Sequence, residues 1–112
     1  MKLPNAHLAV VAQEKICGYL LNAAHPDNGG KATFFLALGF SPDNWPVLAA
    51  ALRQLAETTD VTKSMTSPHG QKYVLDARIE SPKGKTPVVR TIWIVDAGQD
   101  TPRLVTAYPH EN

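Results

Sequence analysis

The hydrophobic pattern changes its period once along the chain, near residue 60. Before that point apolar residues recur at helical spacing, and after it they alternate. Ile16, Tyr19 and Leu20 stand at i, i+3 and i+4, predicting a helix from Gln13 that ends near Asn22 and cannot pass Pro26. Gly18 inside it costs about 1 kcal/mol relative to alanine, so packing of the apolar face must hold this helix. A second helix is expected from about Gly30, with Ala32, Phe35, Leu36 and Leu38 facing inward. Gly39 then falls where a left-handed C′ residue is expected, with Phe40 as its hydrophobic partner. Asn44 offers an N-cap for a third helix running to about Glu57, in which Leu48, Ala51, Leu52, Leu55 and Ala56 give the strongest helical period in the chain. Ala6 to Val11 fits a short extended segment without deciding it.

From Val61 the period is two. A weak strand from Val61 to Thr66 leads through the turn Ser67-Pro68-His69-Gly70 into a strand where Tyr73, Leu75, Ala77 and Ile79 alternate with Lys72, Val74, Asp76 and Arg78. A loop over 81–85 precedes a β-branched strand from Thr86 to Val95, and a turn over 97–100 precedes a last strand from Arg103 to Tyr108. A helical part (about 13–57) followed by a sheet part (about 61–108) predicts a single α+β domain over 1–112. It should hold about three N-terminal helices and then a three- to four-stranded, mostly antiparallel sheet.

Composition adds exclusions. Hydrophobic residues at 44% and charged ones at 19% suit a globular core and exclude disorder. A net charge of +1 argues against a surface that coats duplex nucleic acid, but leaves room for a small RNA contact on one face. Cys17 stands alone, which excludes an internal disulfide and a cysteine-rich zinc site. His7, His25, His69 and His110 are scattered without metal-ligand spacing, so neither a metal nor a cofactor is expected. The sequence has no signal-peptide pattern and no apolar run near the ~20 residues that span a bilayer. Cytoplasmic residence without membrane contact is the expectation, and delivery as the tail of a larger toxin fits equally well.

Two stretches carry candidate chemistry. In His25-Pro26-Asp27-Asn28-Gly29-Gly30-Lys31 a proton-transfer residue meets a glycine turn and a lysine at a helix start. Gly29 and Gly30 would let backbone approach an anion, and Lys31 would add charge. This run lacks the glycine spacing of a phosphate-binding P-loop. The plainer reading makes His25 a turn residue. The second stretch is the C-terminal hairpin, where Arg90 and Thr91 interrupt an apolar strand and Arg103, Thr106 and Tyr108 lie in its partner. Arg90 and Thr106 share a face if the turn is symmetric about residue 98, and a one-residue slip separates them. The plainer reading makes these residues a solvent face and Trp93 core packing.

Two blocks of residues carry a resemblance. The first is Tyr19-Leu20-Leu21-Asn22, His25-Pro26, Gly30-Lys31-Ala32, Phe35 and Leu38-Gly39-Phe40. The second is Gly70-Gln71-Lys72-Tyr73, Val89-Arg90-Thr91, Trp93-Ile94-Val95 and Pro102 to Tyr108. Together they resemble a bacterial family of small uncharacterised toxin-like domains, found alone or at the ends of larger toxin and phage-head proteins. The order of helices and strands is also similar to the barnase–EndoU–colicin–RelE ribonuclease group.

That second resemblance implies a metal-independent ribonuclease, with His25 as acid or base, Lys31 and Arg90 as cations, and Thr106 and Tyr108 orienting phosphate. Thr91, Arg103, Gly29 and Gly30 would complete substrate binding. The general base is left unassigned, because no carboxylate–histidine pair stands where those enzymes would have one. The implied partners are an RNA substrate and a small antitoxin protein encoded nearby. The other reading is a non-catalytic module that binds protein in a toxin–antitoxin or phage complex.

Overall fold

The computed structural model describes residues 1–28 and 30–110. Among these, helices come first and strands second. Helix α1 (Gln13–Lys15) runs directly into a π-helical turn (Ile16–Leu20), followed by α2 (Lys31–Ala37) and α3 (Trp45–Thr58). Strands β1 (Lys63–Ser67), β2 (Gly70–Arg78), β3 (Val88–Asp96) and β4 (Pro102–Pro109) form an antiparallel sheet in the order β1-β2-β3-β4. The expected α+β architecture is the observed one. No helix among the described residues is long and apolar enough to cross a membrane.

The first helix departs from expectation in its winding. The Leu21 amide donates to the Ile16 carbonyl at 2.8 Å, a bond spanning five residues where an α-helix spans four. The wider turn still buries Ile16 and Leu20 completely and leaves Tyr19 half-buried at the edge. Apolar spacing alone could not register this extra residue.

Helix α2 stops as its sequence dictates. Gly39 has φ +98°, the Phe40 amide reaches the Phe35 carbonyl at 3.3 Å, and the Gly39 amide reaches Leu36 at 3.0 Å. This is the paired C-terminal bonding that a left-handed glycine permits. Ala32, Phe35 and Leu38 are buried, but Leu36 lies on the exposed side of so short a helix. In α3 Leu48, Ala49, Leu52, Leu55 and Ala56 are buried. The expected Asn44 side-chain cap is absent. A 3₁₀ turn at Pro42–Asn44 leads into the helix instead, with Pro46 in its first turn.

One face of the sheet joins this helical core. Leu75, Ile79, Val89, Trp93, Leu104 and Ala107 cluster with Ile16, Leu20, Phe35, Leu48 and Leu52. The opposite face carries Asp76, Arg90, Tyr108 and Thr106. Asp76 pairs with Arg90, Arg90 with Tyr108 and Ile92 with Thr106, so all lie on that one face.

A β-bulge decides this arrangement. Near the turn Trp93 pairs with Leu104, and beyond the shift Ile92 pairs with Thr106, leaving Val105 as the extra residue. Continued without the bulge, the register near the turn would set Arg90 opposite Ala107 and turn Thr106 into the core. Arg90 and Thr106 share a face as required, though the direct partner of Arg90 is Tyr108.

Candidate functional site

Tyr19 is the hub of the polar face. Its ring meets the His25 ring edge-on, with centroids 5.1 Å apart. The Lys31 and Lys15 ammonium groups lie 5.3 and 5.2 Å from its centroid. The Thr106 hydroxyl is 3.5 Å from the Tyr19 oxygen. Lys31 also stands 5.8 Å from the Tyr108 ring, and Tyr108 lies directly opposite Arg90 in the sheet. Contacts therefore run from His25 through Tyr19, Lys31 and Tyr108 to Arg90. The start of α2 packs on the hairpin side, bringing together the two stretches that the sequence left apart.

The electrostatics follow from these contacts. The Thr106 hydroxyl, then Lys31, hold the Tyr19 phenol below its ordinary value against an opposing effect of burial. Arg90 donates from Nε to Asp76 Oδ1 at 2.8 Å and from Nη2 to Oδ2 at 2.9 Å, a bidentate pair. Asp76 accordingly raises the guanidinium above its ordinary range, helped by Tyr108, and Arg90 lowers the carboxyl of Asp76. His110 closes the group, with its Nε2 3.3 Å from Arg90 Nη2 and 3.8 Å from Asp76 Oδ2. A neutral His110 ring accepts from Arg90, whereas a protonated one faces the Asp76 carboxylate. Both protonation states have a partner. At the other end, the Asp27 amide donates to His25 Nδ1 at 3.1 Å, so a neutral His25 carries its proton on Nε2.

Three expected site residues are engaged otherwise, and each has a physical reason. Thr91 is fully buried on the core face, where its hydroxyl donates to the Leu75 carbonyl at 3.2 Å and accepts from Trp93 Nε1 at 2.9 Å. Adjacent strand residues point to opposite faces, so Arg90 and Thr91 could not serve one surface site. Arg103 lies toward the β3–β4 turn, bound to Asp96 at 2.7 and 3.0 Å. Gly30 adopts a left-handed φ of +86°, but its amide donates to Asn28 Oδ1 at 3.1 Å and is not offered to a ligand. Gly29 lies outside the described residues.

The glycine turn is accordingly an anchored loop. Asn28 is 5% exposed and also donates from its side chain to the Asn22 carbonyl, while its own carbonyl accepts the Lys31 amide at 3.0 Å. It is a buried clamp, and α2 inherits its start from it.

Three participants escaped the sequence reading. Tyr19 read as part of an apolar helix face. Asp76 read as the polar half of an alternating strand, and His110 as one of four scattered histidines. The usable signal was the β2–β3 alternation, which places an aspartate and an arginine on one sheet face.

Two clefts of about 380 and 560 Å³ lie elsewhere, lined by Val47, Leu55 and Arg78 and by Phe34, Thr86 and Pro87. Neither holds any of the clustered residues. Among the described residues no three His, Cys, Asp or Glu side chains gather as a metal site.

An α+β domain with an antiparallel sheet, one face in the core and a titratable cluster on the other, is the class these features define. The chain belongs to the family described as "Domain of unknown function (DUF6883)", whose model matches residues 2–111. No curated protein sequence matches it. Among solved structures it is similar to a chain of the contact-dependent growth inhibition toxin–immunity protein complex from Klebsiella pneumoniae 342. The two are 20% identical with a TM-score of 0.73, over 90% of this chain and 99% of that one. At that identity the likeness is one of fold.

Proposed function

We propose that this domain is a toxin-like, metal-independent ribonuclease that acts on RNA in the cytoplasm and is held in check by a small partner protein. The observation that carries this is the run of contacts His25–Tyr19–Lys31–Tyr108–Arg90–His110, which sets two histidines at the ends of a cationic, hydroxyl-lined patch. The solved complex with the similar fold contains a toxin and its immunity protein, which supports the partner.

The chemistry needs a base, an acid and cations. The 2′-hydroxyl displaces Arg90 from His110 Nε2, which then takes its proton, and Asp76 stabilises the imidazolium that forms. The 2′-oxygen bonds to phosphorus, and the bond from phosphorus to the 5′-oxygen breaks. His25 Nε2–H protonates the departing 5′-oxygen, giving a 2′,3′-cyclic phosphate and a 5′-hydroxyl. Lys31 and Arg90 balance charge on the phosphorane, while Thr106, Tyr108 and Tyr19 orient its oxygens.

The test is RNA cleavage by the purified domain with detection of cyclic-phosphate ends. His25→Ala and His110→Ala should each lower kcat by about 10²–10⁴-fold, the range for loss of an acid or base. Arg90→Ala should abolish cleavage or growth arrest in the same way. Folded variants that still cleave at the wild-type rate would remove the mechanism.

The second reading is a non-catalytic binding module. It is favoured by β1, an edge strand exposed over Lys63–Thr66, onto which a partner's strand could add. Salt-independent protein binding without RNA cleavage would select it.

A further inference from the structure

The polar face extends well past the histidine cluster. By register, Lys63 pairs with Val74, Met65 with Lys72, Lys72 with Ile94 and Val74 with Ile92, so these residues share the face of Arg90 and Thr106. Val74 and Ile94 are each only 4% exposed, yet neither belongs to the helix-packed core. Both are covered by neighbouring side chains, so the apolar surface open on this outer side of the sheet is that of the half-buried Ile92 and the exposed Met65.

Charge on this face is unevenly balanced. Asp76 is neutralised by Arg90, and Asp96 by Arg103. Lys63 and Lys72 enter no ion pair among the described residues, and neither do Lys15 and Lys31 on the other side of the cluster. A net charge of +1 for the whole chain therefore conceals a face with two lysines beyond its paired charges, and two more beside Tyr19. From Asp76 to Lys72 along β2 is about 13 Å, and from β4 to β1 across the sheet about 14 Å. A few nucleotides of extended strand cover that distance.

We propose that Lys63 and Lys72, with the accessible apolar side chains of Met65 and Ile92 beside them, form a track for single-stranded RNA flanking the scissile phosphate. The track deepens the ribonuclease reading and rests on it for the position of that phosphate. Apolar surface between separated cations suits a strand that presents both unpaired bases and phosphates. A duplex presents mainly phosphates and sugars to such a surface and hides its base faces. A single strand is also free to bring its 2′-oxygen in line with the leaving 5′-oxygen, the geometry this cleavage needs.

The probe is an oligoribonucleotide of about ten nucleotides with 2′-fluoro sugars, which the domain cannot cleave. Wild type and a Lys63→Gln/Lys72→Gln double variant, matched in thermal stability, are titrated across a salt series. Removing two phosphate contacts should reduce the slope of log affinity against log salt by about 1.4. With cleavable RNA, the variant should lose kcat/KM on the oligomer and keep that on a dinucleotide. An unchanged salt slope would overturn the track, as would a duplex binding as tightly as the single strand, or no RNA binding by wild type. Lysine-dependent binding by a wild type that cleaves nothing would keep the track and sink the ribonuclease reading.

Discussion

Asp76 and Arg90 stand directly across β2 and β3 and share two parallel hydrogen bonds of 2.8 and 2.9 Å. The pair fixes the plane of the guanidinium, leaving its third nitrogen, Nη1, outside the clasp. Arg90 is therefore a positioned donor, where the sequence suggested only a loose cation.

Stability should depend on pH through Asp76. Its carboxyl is held below the ordinary value of about 3.9. The pair's contribution is fully present above that value and is lost as pH falls through the lower, folded-state value. Asp76→Asn should lower Tm at neutral pH, and the gap from wild type should narrow steadily below about pH 4. Thermal melts at a series of pH values would show it, and a constant gap would contradict it.

Tyr19 should titrate earlier than an ordinary tyrosine. Thr106 and then Lys31 are the main causes, so Thr106→Val and Lys31→Met should each move its ionisation up. Phenolate absorbance during alkaline titration reads this directly, because Tyr19 is one of 3 tyrosines. Identical curves for wild type and both variants would rule out the cluster as drawn.

Thr91 should matter to stability and leave chemistry alone. Thr91→Val keeps the shape but strands the Trp93 indole N–H in the core, at a cost of about 1–3 kcal/mol. Denaturant unfolding measures the loss, and cleavage per folded molecule should stay at the wild-type level.

Asn28 should be the sensitive position of the glycine turn. Asn28→Ala removes its side-chain bonds to Asn22 and Gly30 at a buried site, for a loss of about 1–3 kcal/mol. Hydrogen exchange should show the Gly30 amide losing protection. Thr33→Ala, at an exposed position nearby, should change little.

What the sequence revealed and what it hid divide along physical lines. Periodicity is local, so it located α3, the Gly39 stop of α2 and the four strands within a few residues. The pairing of Asp76 with Arg90 and His110 depends on register between strands, which no local pattern states. Thr91 is instructive because the period of two already forbade it from joining Arg90, yet its polarity suggested a surface role. Arg103 was misjudged for the opposite reason. Its outward face was legible, but Asp96, its partner across the turn, was not. The Asn28 loop looked flexible because glycines loosen a chain, while the buried asparagine beside them tightens it.

The π-turn at Ile16–Leu20 and the bulge at Val105 are each a single residue more than regular structure needs, and they meet where Tyr19 touches Thr106. One extra residue turns a helix by about 100°, and one in a strand exchanges its faces. The contact is thus specified by chain length as much as by side-chain identity. Deleting Gly18, which no side chain crowds, would re-aim Tyr19 without altering any residue of the cluster. The site is tuned by counting, and indels are its most disruptive mutations.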